Sequence, residues 1–348
     1  MAVVMQHFST TAQLHAMNNI PSLVPHGYLA VDLFFILSGF IMAYTYLASF
    51  ELYGRGALAS FLVKRIARIA PLNIVVIGLF VLAGLVSTSL LGKNIIYPSD
   101  AGLSDIIANI LMLQGLGIGI NINGPSWSIS AEFVAYLLFP LLILGVFSTR
   151  QWLRTVLLIA SLLSIVWLSS HYPRFGLATE SVHENLIRCF SEFALGMIAF
   201  HFFRRAPAGT IAKLGSDQAS GGLMISCAMF MLLRIDLLAV ALFPWLILSL
   251  AWNTGRVAKW MAHPALYLLG LVSFSLYLLH QLFRPVALLL IQSIHPDAMS
   301  TMYALGFAFL ASLSVVPFAW ISYRFVELPG RKLVHSFHKN QRSVTTQP

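Results

Sequence analysis

Long apolar runs dominate the pattern of this chain. Polar residues are confined to short intervals between runs of about 17–25 mostly apolar residues, the length that an α-helix needs to cross a bilayer. The predicted spans are 28–50, 70–91, 128–148, 153–170, 186–203, 220–234, 237–252, 265–291 and 303–326. A shorter run over residues 1–16 contributes a further one. The pattern therefore predicts an all-α integral membrane protein with about ten transmembrane helices.

One further run, residues 103–120, is apolar but rich in glycine, and Asp105, Asn109 and Gln114 interrupt it. The basic residues between the runs decide where it lies. If this run does not cross, all basic loops and the basic C-terminal residues share one face, and the acidic loop residues occupy the other. Because basic residues concentrate on the cytoplasmic side, we predict a re-entrant or surface-lying segment on the outer side. Both termini are then cytoplasmic.

Composition agrees with a membrane protein. Of the 348 residues, 58% are hydrophobic and only 9% are charged, whereas soluble proteins carry about 25% charged residues. The net charge of +9 would suggest a nucleic-acid partner in a soluble protein, but cytoplasmic loops account for it here. We therefore expect membrane lipids and no nucleic acid as partners. Cys189 and Cys227 lie in separate apolar runs without metal-ligand spacing, so neither a disulfide nor a metal site is predicted.

Two ionisable residues in apolar runs are candidates for chemistry. Asp32 lies inside the first long run, where a carboxylate costs about 2.5–3.5 kcal/mol on insertion scales. It could orient a histidine or relay protons, and a structural hydrogen-bonding acid is the alternative. His7 is the best-placed candidate base because imidazole titrates near neutral pH. The alternative for His7 is a structural histidine at the membrane interface.

A basic cluster begins the next apolar run. Arg65 and Arg68 are three residues apart, so their guanidinium groups share one face of a helix and suit phosphate oxygens. A charge cluster that only sets topology is the alternative. Glu132 lies near the outer end of a later span, where it could polarise an acceptor site or serve as a structural acid. The predicted topology places Arg65 and Arg68 at the cytoplasmic side and Asp32 and Glu132 towards the outer side. This arrangement indicates a reaction or a transport step that crosses the bilayer.

At these residues the chain resembles the acyltransferase-3 family, bacterial membrane proteins that O-acylate cell-surface and secreted carbohydrates. The blocks that carry the resemblance follow the family order over nearly the whole chain. They are Val31–Phe40, Phe61–Pro71, Trp127–Glu132 with Tyr136 and Pro140, Glu192–Gly196, Ser273–His280 and Phe325–Pro329. The resemblance implies a transmembrane domain over 1–326 and a cytoplasmic tail over 327–348. It also implies a multi-pass protein of the bacterial inner membrane.

The resemblance implies transfer of an acetyl or other short acyl group from cytosolic acyl-CoA, usually acetyl-CoA, without a metal. The acceptor would be a hydroxyl of a polysaccharide or lipid-linked glycan, such as an exopolysaccharide or a lipopolysaccharide. His7 matches the catalytic histidine of the family's first helix, and Arg65 and Arg68 match a pair associated with the acyl donor. We expect His7 either to deprotonate the acceptor hydroxyl or to carry the acyl group transiently.

The remaining site residues follow from the same motifs. Ser38 and Gly39 fall in the family's second-helix motif, and we expect them to contribute to donor binding. Asp32 and Glu132 are expected to assist His7. The family's first helix carries an arginine upstream of its histidine, which here would precede Met1, so we expect this helix to begin upstream of Met1. A secondary transporter or flippase for a lipid-linked or anionic substrate would also use buried acids and basic gates.

Overall fold

The computed structural model of the chain describes residues 1–11, 23–171, 181–293 and 301–333. Within these ranges every regular element is helical. The α-helices are α1 (Ala2–Thr11), α2 (Leu29–Tyr53), α3 (Ala57–Leu91), α4 (Leu103–Ile110), α5 (Trp127–Val146), α6 (Gln151–His171), α7 (Val182–Phe203), α8 (Ala208–Leu214), α9 (Asp217–Leu232), α10 (Asp236–Trp252), α11 (Arg256–Met261), α12 (Pro264–Leu271), α13 (Ser273–Ser293) and α14 (Thr301–Ser322). This confirms the all-α class predicted from the sequence.

Six segments of the described chain are long and apolar enough to cross a membrane. They are Leu29–Leu91, which contains both α2 and α3, and Gly124–Val146, Gln151–His171, Val182–Phe203, Ser273–Ile291 and Tyr303–Leu333. The chain is therefore a multi-pass membrane protein. The expected number of about ten spans is not confirmed. The elements at three other predicted spans are shorter, with 10 residues in α1, 16 in α9 and 17 in α10.

The segment 103–120 forms only the eight-residue helix α4 and irregular turns, so it contains no helix long enough to cross. Polar side chains of the segment hydrogen-bond to its own backbone and stabilise its turns. The Asn109 side chain donates to the backbone oxygens of Asp105 at 2.8 Å and Ile120 at 2.7 Å. The backbone N–H groups of Ile120 and Gly102 donate to the Asp105 carboxylate and hold its pKa below the usual range. The position of this segment on the outer side stays a prediction.

Helices α2 and α7 approach each other closely at two glycines. A Cβ built on Gly39 would lie 1.9 Å from the carbonyl oxygen of Phe193, and one on Gly196 would lie 1.9 Å from that of Ile36. Only glycine permits such backbone contact, which is a common way for membrane helices to associate. Helices α5, α6 and α10 pack around α7. This contact fixes the height of α2 relative to its neighbours.

Helix α3 has 35 residues, more than a bilayer needs, and contains Pro71. The part from Pro71 to Leu91 supplies the roughly 20 apolar residues that suffice to span. Arg65 and Arg68 lie in the turns just before it, which places them at a membrane boundary. Helix α14 continues through a π-helical turn, Tyr323–Glu327, and remains helical to Leu333. Residues 334–348 of the expected tail lie outside the described residues, and the domain boundary at 326 stays a prediction.

Candidate active site

A cavity of about 550 Å³ opens between α1, α2, α3, α5 and α13. Its polar lining includes four of the predicted site residues, Ser38, Arg65, Arg68 and Glu132. Four further polar side chains line it, those of Ser128, Tyr136, Ser273 and Tyr277. Most of the remaining lining is apolar. The structure thus brings the basic pair on α3 and the polar residues of α2 and α5 around a single space.

Arg65 is held in place at one end of the cavity. Its Nη2 donates to the hydroxyl of Tyr46 at 2.7 Å, and its Nη1 lies 3.6 Å from the sulfur of Met42. The guanidinium group also lies over the rings of Tyr46 and Tyr136, at 5.1 Å and 5.8 Å from their centroids. A guanidinium group fixed by aromatic and hydroxyl contacts loses little side-chain entropy when it binds an anion.

Arg68 shares this end of the cavity with the π-helical turn of α14. Its side chain is 44% exposed and lies 3.8 Å from the buried carboxylate of Glu327. Glu327 also accepts hydrogen bonds from Arg331 and, at 3.1 Å, from the hydroxyl of Ser275. One carboxylate therefore faces two arginines here, and Arg65 adds a third positive charge. The excess of positive charge suits an anionic ligand.

Glu132 lies deeper in the cavity and accepts two hydroxyl hydrogen bonds at the same oxygen. Ser38 and Tyr136 both donate to Oε1 of Glu132, and their own oxygens are 3.4 Å apart. The carboxyl group is 4% exposed. Such paired donors fix the orientation of the side chain. The other carboxyl oxygen remains for a ligand hydroxyl.

Helix α13 connects the two ends of the cavity. Phe274 packs under the guanidinium group of Arg68, at 5.9 Å from ring to Cζ. One turn later, the hydroxyl of Tyr277 lies 2.8 Å from that of Ser128 in the middle of the cavity. A further turn along the same helix lies His280. At a rise of 1.5 Å per residue, the distance from Phe274 to His280 along the axis is about 9 Å.

His7 and His280 form a hydrogen-bonded pair next to the cavity, with their ring planes 27° apart. Val3 and Val4 of α1 line the cavity, and His7 follows them by one turn on the same helix. Nδ1 of His7 lies 2.8 Å from Nε2 of His280, and the ring centroids are 5.0 Å apart. The amide nitrogen Nε2 of Gln281 lies 3.0 Å from the same Nδ1.

The partners of His280 determine which nitrogen of His7 can act as a base. Nδ1 of His280 lies 2.6 Å from the carbonyl oxygen of Tyr277, which can only accept, so this nitrogen carries the proton. Within the described parts of the chain no carboxylate pairs with the buried His280, so its imidazole is best neutral, and its Nε2 then accepts. Nδ1 of His7 then donates to His280, which requires the Gln281 amide to be flipped so that its oxygen takes the place of the nitrogen that lies 3.0 Å from Nδ1. The accepting lone pair of His7 is therefore on Nε2, as a general base requires.

Asp32 has a different partner from the one expected. The guanidinium group of Arg188 binds its carboxylate in a bidentate manner, with Nε donating to Oδ1 at 2.7 Å and a second donation to Oδ2. Glu192, one turn further on α7, lies 3.7 Å from the same Nε. Asp32 is fully buried and does not line the cavity. Its pairing with Arg188 ties α2 to α7.

Gly39 also contributes to the contact between α2 and α7, while its neighbour Ser38 faces the cavity. Two tyrosines at the site, Tyr136 and Tyr277, lie in the blocks that carry the family resemblance but were not predicted as site residues. Their signal was their spacing, since Tyr136 is four residues after Glu132 and Tyr277 is three residues before His280. Within the described residues, no three His, Cys, Asp or Glu side chains are grouped as metal ligands.

The fold and this site define a helical membrane protein with an internal cavity that has a cationic end and whose lining residues Val4 and Tyr277 each lie three residues from a member of a histidine pair. A family model described as "Acyltransferase domain" matches residues 1–324. The chain therefore belongs to the acyltransferase-3 family, which confirms the family and the enzyme class expected from the sequence. No solved structure matches the chain significantly.

Two relatives illustrate the extent of the similarity. "Acyltransferase MdmB" of Streptomyces mycarofaciens is 27% identical over 274 residues, which are 73% of this chain and 67% of that protein. "Putative O-acetyltransferase SACOL0978" of Staphylococcus aureus strain COL is 24% identical over 340 residues, or 88% of this chain. The chain spans 53% of the length of this second relative.

Proposed function

We propose that this protein is a membrane O-acyltransferase. It transfers an acetyl or other short acyl group from acyl-CoA, in the first instance acetyl-CoA, to a carbohydrate hydroxyl. The acceptor is a polysaccharide or a lipid-linked glycan on the outer side of the bacterial inner membrane. The donor enters from the cytoplasm, where both termini lie. Membership of an acyltransferase family and a relative named as an O-acetyltransferase support this proposal.

The observation that carries the proposal is the cavity that runs from the two arginines towards the histidine pair. Arg65 and Arg68 bind the phosphates of the donor at one end, because fixed guanidinium groups suit phosphate oxygens. The apolar middle of the cavity accommodates the uncharged arm of the donor and brings its thioester towards the other end. His7 meets the acceptor hydroxyl there.

The reaction needs one proton to be moved and returned. Nε2 of His7 takes the proton from the acceptor hydroxyl as its oxygen attacks the thioester carbon. The carbon–sulfur bond then breaks, and the leaving thiolate takes the proton back from the imidazolium, which yields the ester and free coenzyme A. Transient acylation of the same nitrogen would be the two-step version. Both routes require the lone pair to be on Nε2.

The other predicted residues support this centre. Glu132, fixed by Ser38 and Tyr136, accepts a hydrogen bond from a hydroxyl of the bound acceptor or donor. Asp32 acts as a positioning residue, because its ion pair with Arg188 holds the helix that carries Ser38. Gly39 serves the same helix contact.

Donor binding by the arginine pair provides the test. Arg65→Gln combined with Arg68→Gln should weaken coenzyme A binding by about tenfold or more, the loss expected for charge-assisted hydrogen bonds. Arg150→Gln combined with Arg154→Gln removes the same charge away from the cavity and serves as the control. Titration calorimetry in detergent or nanodiscs measures the affinity. An unchanged affinity in the folded Arg65/Arg68 variant would exclude the arginine pair as the donor site.

A further inference from the structure

A second cavity, of about 540 Å³, lies beside the short turn between α2 and α3. Its wall combines aromatic rings, two serine hydroxyl groups, two small residues and one ammonium group. The lining residues are Tyr46, Ser49, Phe50, Tyr53, Gly56, Ala57, Ser60, Phe61 and Lys64. The cavity thus differs from the mainly apolar surface of the neighbouring spans. It is not part of the site described above.

The two cavities meet at Tyr46. Its hydroxyl accepts the hydrogen bond from Arg65, which lines the first cavity, and its ring lines the second. The ammonium group of Lys64 lies 5.6 Å from the centroid of the same ring. Lys64 therefore lines the second cavity, while the next residue, Arg65, lines the first. A single ligand that carries several phosphates could contact both cations.

The chemistry of the second cavity suits a nucleotide. A nucleobase stacks on aromatic side chains, of which Tyr53 is 67% exposed at this cavity. The hydroxyl groups of Ser49 and Ser60 offer hydrogen bonds to a ribose, and Lys64 offers a positive charge to phosphate. An acyl-coenzyme A carries a nucleobase, a ribose and phosphates in one half of the molecule and an uncharged thioester arm in the other.

We propose that the second cavity binds the nucleotide half of the acyl donor, while the thioester arm passes the contact between Arg65 and Tyr46 into the first cavity. This inference rests on the proposed function and adds a second binding site for the same substrate. Lys64 meets the phosphate on the ribose, and Arg65 and Arg68 meet the diphosphate that joins the two halves. The turn between α2 and α3 forms the outer wall of the nucleotide site.

Two variants change this cavity in different ways. Lys64→Gln removes the charge. Gly56→Phe fills the space, and a Cβ there meets nothing closer than the Cβ of Tyr53 at 3.9 Å, so the backbone tolerates a side chain. Lys259→Gln and Gly209→Phe are the controls, since Lys259 lies on another helix and a Cβ on Gly209 meets nothing within 4 Å.

The experiment compares two donors, acetyl-CoA and S-acetylpantetheine, which lacks the nucleotide and all phosphates. For Lys64→Gln we expect kcat/KM with acetyl-CoA to fall about tenfold relative to kcat/KM with S-acetylpantetheine, as for one lost charge-assisted hydrogen bond. Adenosine 3′,5′-bisphosphate should inhibit the wild type competitively against acetyl-CoA and should inhibit Gly56→Phe at least tenfold more weakly, about 1.4 kcal/mol. The controls should match the wild type in both measurements.

Each possible outcome decides the matter. An equal fall with both donors would overturn the nucleotide site, as would equal inhibition of wild type and variants by adenosine 3′,5′-bisphosphate. If activity with both donors instead follows the anionic lipid content of the nanodiscs, the cavity binds lipid headgroups and the proposal is wrong. Failure of the proposed function has a different signature, because the wild type would then transfer acetyl groups from neither donor.

Discussion

Replacement of His280 is expected to reveal how strongly His7 depends on its partner. His280→Leu keeps a side chain of similar bulk on α13 and removes the nitrogen that accepts from Nδ1 of His7 at 2.8 Å. A buried donor without a partner costs about 1–3 kcal/mol, and the cost falls on the tautomer with the lone pair on Nε2. We therefore expect kcat to fall about 5- to 150-fold, since about 1.4 kcal/mol corresponds to a factor of ten.

The structure also indicates where in this range the effect lies. The Gln281 amide, whose Nε2 lies 3.0 Å from the same Nδ1, can present its oxygen as an acceptor once it is flipped, so the single variant should fall near the lower limit. The double variant with Gln281→Leu should approach the upper limit. His280→Gln, which retains an accepting oxygen, should restore most of the activity.

Initial rates with labelled acetyl-CoA over a range of pH values provide the assay, with KM for the donor as an internal control. A positioning role predicts a lower kcat, an altered pH profile and an unchanged KM, whereas general damage to the fold would change all three. The reasoning would be refuted if His280→Leu retained nearly full kcat, or if His280→Gln were no better than His280→Leu.

Three further predictions concern stability. Asp32→Asn leaves the buried guanidinium of Arg188 without its main counter-charge and should destabilise the protein by about 3–5 kcal/mol, seen as a lower Tm in detergent; an unchanged Tm would contradict the ion pair. Gly39→Ala should destabilise the folded protein by about 1–3 kcal/mol or prevent folding. Gly78→Ala is the control and should be tolerated, because a Cβ there meets nothing within 4 Å. Equal Tm values for the two variants would contradict the close contact between α2 and α7. The lowered pKa of Asp105 stabilises its loop above the unfolded pKa of about 3.9, and this contribution is lost as the pH falls through the folded value. Asp105→Asn should remove this dependence of loop stability on pH, measured as the protection of the loop amides from hydrogen exchange. Protection that changes with pH equally in the wild type and in Asp105→Asn would contradict the prediction.

The sequence predicted the residues of the first cavity better than their partners. Arg65 and Arg68 were recognisable because both lie on one helix face, and Glu132 because a carboxylate in an apolar run is costly. The partner of His7 was not predictable, because His280 is 273 residues away and only the packing of α1 against α13 brings them together. The same reason applies to Arg188, which binds Asp32 across 156 residues.

The number of spans could not be settled from apolar runs alone. Hydropathy reports composition, whereas the length of a helix also depends on where its hydrogen bonding ends. The predicted span at 220–234 thus corresponds to α9, which has 16 residues, and the one at 237–252 to α10, which has 17. Segment 103–120 was predicted from the distribution of basic loops not to span, and it contains no helix long enough to do so. In the structure its polar residues Asp105 and Asn109 bind its own backbone.

A His7→Ala variant shows whether acetyl transfer depends on the imidazole of His7. Purified wild type and variant in nanodiscs would receive labelled acetyl-CoA and a panel of bacterial glycans, and label in the glycan fraction would be counted. We expect labelled glycan with the wild type, none above background with His7→Ala, and the same coenzyme A affinity in both, because the imidazole acts on the reacting groups alone. Near-normal transfer by His7→Ala, or no transfer by a folded wild type that binds coenzyme A, would contradict it.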